Sequence, residues 1–385
     1  MDYGTLLLYD IANISFVLNY KGVKYLALED GKKKSLRVAL IASERTVREH
    51  SMFLQHILVG LADESIPVSL VCPPGFDPAS VFTDTAELIS YPTFDLPLLG
   101  YINIRLLAER LAKFEPTVIH CLCESRASLT KRLANRLDLP YILMVNSLQK
   151  RWSRLSVSLR DCAKIVVPAG SLAENMSSVH PRLAERIKQI NIGAFVADRS
   201  CCFSDPSRLT TIVMAGPSKK ADEIENLFSV IRHLVIDGYE FMVVIVGERK
   251  AERQMWKLLE ALGLLKIVSI VPRQVPWRSI LEAADIFIQP QPNYTFNPVL
   301  LQAMSVGAAV AGCTGGVDDL IIEDKTAVVF DPNDEMSIMR TMKQLLDKQE
   351  FARQVAGNAQ LYVKQNHSVS KMIDATLKIY RETRK

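Results

Sequence analysis

From residue 37 onward, short apolar runs alternate with longer segments in which apolar positions recur every three or four residues. Short runs bounded by turn residues read as buried strands, and the longer segments read as amphipathic helices. In the first half the strand candidates are RVALIA (37–42), SLVCP (69–73), TVIHCLC (117–123), YILMVN (141–146) and KIVVPA (164–169). Helices are expected over about 49–61, over 102–114, up to Leu137, and from a cap at Ser171 to the proline of HPR. Strict alternation of strand and helix is the pattern of parallel βαβ units.

The rhythm breaks at VADRSCCFSDPSRL (196–209), where polar residues, two adjacent cysteines and a proline intervene. A second series then begins: TTIVMAG (210–216), FMVVIVG (241–247), KIVSIVP (266–272), DIFIQP (285–290), AAVAG (308–312) and TAVVFD (326–331). The expected organisation is a first domain over 37–196, a linker over 197–209, a second domain over 210–368 and a closing helix within 369–385. The fold class is α/β, with two Rossmann-like, doubly wound parallel sheets facing across a cleft. Ligands of such sheets sit outside the carboxyl ends of the strands. Residues 1–36 precede the pattern, and their alternation between NYKG and EDGK turns suggests a β-hairpin extension.

Composition is consistent with this. At 385 residues, 49% hydrophobic and 23% charged, the chain suffices for two globular domains and is too apolar for disorder. The net charge of +4 belongs to residues 1–200, with 24 Lys and Arg against 20 Asp and Glu; residues 201–385 carry 22 of each. Within 126–164, nine basic residues, among them Arg126, Arg132, Arg136, Lys150, Arg151, Arg154 and Lys164, face only Asp138 and Asp161. Such a run suits peripheral contact with anionic lipid headgroups or a phosphorylated acceptor, or is a solvated helix surface. Nucleic acid is not expected, because no RNA-binding or helix-turn-helix signature accompanies it.

The seven cysteines form no CxxC pair and no His-Cys cluster at metal spacing, as expected for free thiols in a reducing compartment. The amino-terminal stretch has no basic n-region, and Asp10, Asn13 and Asn19 interrupt its apolar run. The expectation is a cytoplasmic protein without a membrane span, at most peripheral on the inner face of a membrane. No Ser-His-Asp arrangement, P-loop or zinc pattern occurs, and His50 and His56 lie six apart, off a shared helix face. No metal and no cofactor is expected.

In the second half, six pieces occur in one order: IVMAG, IVGERKAERQMWKLLEALGL, VSIVPRQVPWRSILEAADIFIQPQ, LLQAMSVGAAV, GGVDDLI and VVFDPND. Together they resemble the group 1 (family-4-like) glycosyltransferases of the GT-B fold. The first half matches more loosely, through 37–73, VIHCLC and QINIGAF, so the likeness spans about 37–380. The resemblance implies a nucleotide-sugar donor held by the second domain and a glycan, lipid-linked or protein acceptor at the first. It also implies transfer with retention of configuration and a last helix that crosses back to the first domain.

A departing nucleoside diphosphate gathers negative charge, which cations and helix amino-terminal N–H groups stabilise. In the family an Arg follows the glycine of the first strand and a Lys lies five residues beyond; here these are Pro217 and Asp222. The family's two glutamates, eight apart, fall on Tyr294 and Gln302, and the glycines after the first become Thr295 and Asn297, followed by Pro298. Lys219 and Lys220 are the cations that would replace those lost, or are solvated loop residues. Gln302 retains hydrogen-bonding capacity for ribose hydroxyls. The donor-side candidates are therefore Gly216, Ser218, Lys219, Lys220, Gly247, Glu248, Arg273, Tyr294, Asn297, Val299 and Gln302.

Gly315 and Gly316 would admit close backbone approach to a ligand or merely form a turn. His120, at a position the family often fills with His, is a candidate base or sugar contact beside Lys219 and Lys220, or a half-buried structural histidine; the next His of the pair is Leu122 and a third is Asn146. Two functions remain open: an active transferase, or a catalytically degenerate homologue (a pseudoenzyme) that binds a glycan or a protein partner. A subunit that oligomerises with and activates a separate transferase would resemble the second.

Overall fold

The computed structural model describes residues 35–74, 86–91, 99–152, 155–215, 224–247, 249–272 and 278–384. The expected hairpin at 1–36 lies outside the described residues, apart from its last two positions.

The first half is a seven-stranded sheet of β1 (Val38–Ile41), β2 (Val68–Cys72), β3 (Ala86–Ser90), β4 (Val118–Cys121), β5 (Tyr141–Met144), β6 (Cys162–Val167) and β7 (Ile187–Gln189). All pairings are parallel, in the order β3-β2-β1-β4-β5-β6-β7. Strands β1, β2, β4 and β5 are buried at every residue. Helices cover both faces, which is why these strands read as unbroken apolar runs. The helices are α1 (Glu44–Glu49), α2 (Ser51–Asp63), α3 (Leu99–Phe114), α4 (Ala127–Leu137) and α5 (Gly170–Val179).

The second half repeats the plan with six parallel strands, β8 (Thr210–Ala215), β9 (Phe241–Gly247), β10 (Val268–Pro272), β11 (Ile286–Gln289), β12 (Ala309–Gly312) and β13 (Val328–Val329), in the order β10-β9-β8-β11-β12-β13. Its helices are α6 (Glu225–Ile236), α7 (Arg249–Ala261), α8 (Arg278–Glu282), α9 (Pro298–Val306), α10 (Glu335–Asp347) and α11 (Gln349–Asn366). A final helix, α12 (Val369–Thr383), packs on α2 of the first half. There Arg381 pairs with Glu64 at 2.7 Å, and the Gly193 amide meets the Met372 sulfur at 3.2 Å.

Several local expectations change. The helix expected over 49–61 is two helices broken at His50, because Ser43 and Thr46 close a capping box that starts α1 earlier. Ser171 does not cap α5; Ala169 holds that position, and the Ser171 hydroxyl donates to Asp319 instead. β3 and β7 carry no apolar run because they are sheet edges, half solvated along their length.

One apolar cluster runs from β1, β4 and β5 through Phe296, Val299 and Leu301 to Leu377 and Tyr380. Helix α9 is buried at all nine of its residues, so it lies inside this shared core and not on a solvated face. It starts at the Asn297 cap and stops at Gly307, whose φ of 81° suits glycine. Among the described residues, no helix is long and apolar enough to cross a membrane.

Candidate functional site

In each sheet the strand order reverses beside its first strand, between β1 and β4 and between β8 and β11. The carboxyl ends at these reversals are the places where open α/β sheets hold ligands. Here the loop leaving β11 meets the loop leaving β5. Ser147 and Thr295 form an antiparallel bridge, the Leu148 amide donates to the Tyr294 carbonyl at 2.9 Å, and the Phe296 amide donates to the Asn146 carbonyl at 2.8 Å. Arg45, on α1, donates from Nη2 to the Thr295 hydroxyl at 3.0 Å. Glu124, just past β4, holds the loop leaving β5 by accepting from the Asn146 amide at 3.1 Å and from the Ser147 hydroxyl.

Among the described residues, three backbone positions on this side offer amide hydrogens of the kind that bind phosphate. Each is filled by the chain's own side chain. The Asn297 amide oxygen accepts from Val299 and Leu300 at 3.1 Å, which takes the first-turn donors of α9, and Pro298 has none to give. The Asp318 carboxylate accepts from Gly315 at 2.7 Å and from Gly316 at 3.1 Å. Asp319 accepts the Ser171 amide at 3.1 Å, so a residue of the second half caps helix α5 of the first.

Of the sequence candidates, Gly216, Ser218, Lys219, Lys220, Glu248 and Arg273 lie outside the described residues, as do Pro217 and Asp222. Gly247 ends β9, and a Cβ there would touch nothing within 4 Å. Tyr294 is 62% exposed. Val299 is buried behind the Asn297 cap. Gln302 is 6% exposed and its Oε1 has no hydrogen-bond partner. It lines a crevice with Met52, His56, Gly193, Phe195 and Arg278, whose volume of about 10 Å³ has room for roughly one water.

His120 stands apart from this group. Its imidazole is 2% exposed and its Nδ1 lies 2.6 Å from the Tyr380 hydroxyl on α12. Burial drives its pKa down to about 3, so it is neutral, and it docks the last helix to the first sheet with no face presented to the cleft. His56 is likewise lowered to about 4 by burial, partly offset by a backbone hydrogen bond to Gly193, and it meets Phe195 edge-on at 4.9 Å. Among the described residues no group of three His, Cys, Asp or Glu could hold a metal.

Sequence reasoning did not single out Glu124, which holds the loop after β5, or Asp319 and Tyr380, which reach from the second half of the chain to the first. The adjacency of GG to DD in GGVDDL was the one local signal for Asp319.

Two parallel α/β domains with apposed strand ends define the GT-B class of architecture, and comparison with solved structures agrees. A glycosyltransferase from Rickettsia africae superposes with a TM-score of 0.71 at 15% identity, covering 91% of this chain and 99% of that one. HepE of Anabaena, solved with UDP-glucose, gives 0.73 at 14% identity over 89% of this chain and 99% of that one. Residues 205–362 match the family model for glycosyl transferases group 1. A curated relative, the sulfoquinovosyl transferase of Arabidopsis thaliana, is 20% identical over 289 residues. The alignment takes in 69% of this chain and spans 56% of that relative's length.

Proposed function

We propose that the protein is a retaining glycosyltransferase that moves a sugar from a nucleotide donor, held by the second half, to a glycan, lipid-linked or protein acceptor at the first. The observation that carries this reading is Gln302. It is a nine-tenths-buried amide whose Oε1 accepts nothing from the protein, at the position where the family resemblance puts the ribose-binding glutamate. An orphaned acceptor in such a place costs stability unless a ligand satisfies it, by roughly 1–3 kcal/mol. A ribose hydroxyl is a donor of the right kind. HepE was solved with UDP-glucose, which supports a nucleotide-sugar as the donor class. The crevice beside Gln302 is too small for a nucleoside, so on this reading the halves part for the donor to enter. Domains 37–196 and 210–368 act as the two jaws. The seven free, buried cysteines suit a reducing, cytoplasmic setting.

A second reading, a catalytically degenerate homologue that binds a glycan or a protein partner, is favoured by one observation. The amides of Val299, Leu300, Gly315 and Gly316 are already satisfied by Asn297 and Asp318. A carboxylate in the place of a diphosphate repels it: two unit charges about 4 Å apart interact by roughly 4 kcal/mol at an effective dielectric near 20.

Calorimetric titration with UDP, GDP, ADP and their sugar conjugates separates the two. Micromolar binding of one nucleotide, weakened at least tenfold by Gln302→Leu and by joint Lys219→Ala and Lys220→Ala replacement, supports transfer. No nucleotide binding overturns it and leaves the second reading.

A further inference from the structure

Three cations of the basic run in the first half, Lys131, Arg132 and Arg136, line one pocket on the surface. Helices α3 and α4 pack side by side, and the turn before β6 closes one end of the groove between them. The result is an open pocket of about 420 Å³ lined by Lys131, Arg132, Asn135 and Arg136 of α4, Ile104 of α3, and Ser158 and Asp161 of the turn. Arg132 and Arg136 are exposed. Asp161, the acidic member, already accepts from Ser158 at 2.8 Å and from Arg160 at 2.7 Å. Three cations of α4 and one carboxylate line the pocket.

The elements that bound the pocket also carry exposed apolar side chains. On α3, Ile102 and Leu106, four residues apart and so on one face, are 50% and 53% exposed, although Ile104, Leu107 and Leu111 already supply the buried stripe. On the turn, Leu159 is 54% exposed. Scattered exposed leucines need no explanation. Exposed apolar residues on both elements that bound a pocket of three cations are a different matter, because the chemistry of both matches one partner. Cations meet phosphate headgroups, and the apolar side chains enter the acyl boundary just beneath.

We propose that the α3–α4 face is a membrane-docking surface that seats an anionic phospholipid headgroup between Lys131, Arg132 and Arg136, with Ile102, Leu106 and Leu159 entering the bilayer. The partner is a bilayer carrying net negative charge. This goes beyond the donor-site reading and does not depend on it, since docking needs no nucleotide.

The test is sedimentation of the full chain with vesicles of phosphatidylcholine alone or with about 30% phosphatidylglycerol. Partition should be strong only with the anionic vesicles and should fall as salt rises through the range in which the Debye length shrinks below about 10 Å. Removing one juxtamembrane cation weakens partition roughly fivefold, so Arg132→Glu should weaken it by at least that. Ile102→Asp with Leu106→Asp should abolish it; both side chains point to solvent, so the fold survives, as circular dichroism would verify. Equal partition onto neutral vesicles, or no effect of either variant, overturns the proposal. So does competition by millimolar glycerol phosphate that removes the protein from vesicles while the Asp variants still bind, since that would identify a pocket for a free phosphate.

Discussion

The Asn293 carbonyl lies against Gly316 so closely that a Cβ at Gly316 would fall 2.3 Å from its oxygen. The same carbonyl accepts the Val317 amide at 2.7 Å. Gly316 is thus needed because the loop leaving β11 packs on the loop leaving β12, which is the structural counterpart of the turn reading for the glycine pair. Gly316→Ala should push the 293–296 segment off its seat and cost roughly 1–3 kcal/mol, as overpacking does. Urea denaturation gives that figure. Faster hydrogen exchange at the Leu148 amide, which is bonded to the Tyr294 carbonyl, would show that the displacement reaches the first half; unchanged exchange there would contradict this account.

Asp319 caps helix α5 across the two halves through the Ser171 amide and hydroxyl. Asp319→Ala should lower stability by about 1 kcal/mol, the usual loss for a helix cap. Asp319→Asn should lose less, because an amide oxygen still accepts. A thermal melt of both variants checks the order.

Among the described residues, the Tyr380 hydroxyl is the hydrogen-bond partner of a buried His120, whose Nε2 has none. Tyr380→Phe leaves both ring nitrogens unsatisfied and should cost about 1–3 kcal/mol. Because α12 packs on α2, the loss should come with faster exchange in α12. A variant as stable as the wild type would mean that the ring finds another partner.

Stability should fall on mild acidification. His120 is lowered by burial to about 3, His56 to about 4 and His367 in the same direction. For a histidine with a folded pKa below its unfolded value near 6.5, the unfolded state binds more protons between those values. Its stabilising effect is complete above about 6.5 and is lost as pH falls toward the folded pKa. The unfolding free energy should decline between pH 6.5 and 4, by up to about 1.4 kcal/mol per pH unit for each histidine. Replacing His56 with Gln should flatten the slope; denaturation across this range reads it directly.

Much of the fold was legible because parallel strands covered on both faces must be apolar at every position. RVALIA, VIHCLC, YILMVN and FMVVIVG could therefore be read without partners. The edges β3 and β7 were not, since a half-solvated edge needs no such run. At the site, the sequence marked Gln302 and the glycine pair, but not that the Gln302 Oε1 goes unpaired or that Asp318 takes the glycine amides. Asn297 reads equally as a phosphate contact or as a helix cap, and only the distances from its Oδ1 to the Val299 and Leu300 amides show the cap.

Local periodicity and spacing by themselves determined two βα series and their order, because those depend on neighbours a few residues away along the chain. Tertiary structure alone decided that His120 serves α12 and that Asp319 serves α5. It also decided that the loops after β5 and β11 join as a backbone bridge. These pairings connect residues roughly 150 to 260 positions apart, and a hydrogen bond at that separation leaves no trace in periodicity. It exists because two sheets present their carboxyl ends to one another and a buried polar group there must find its partner in the other half.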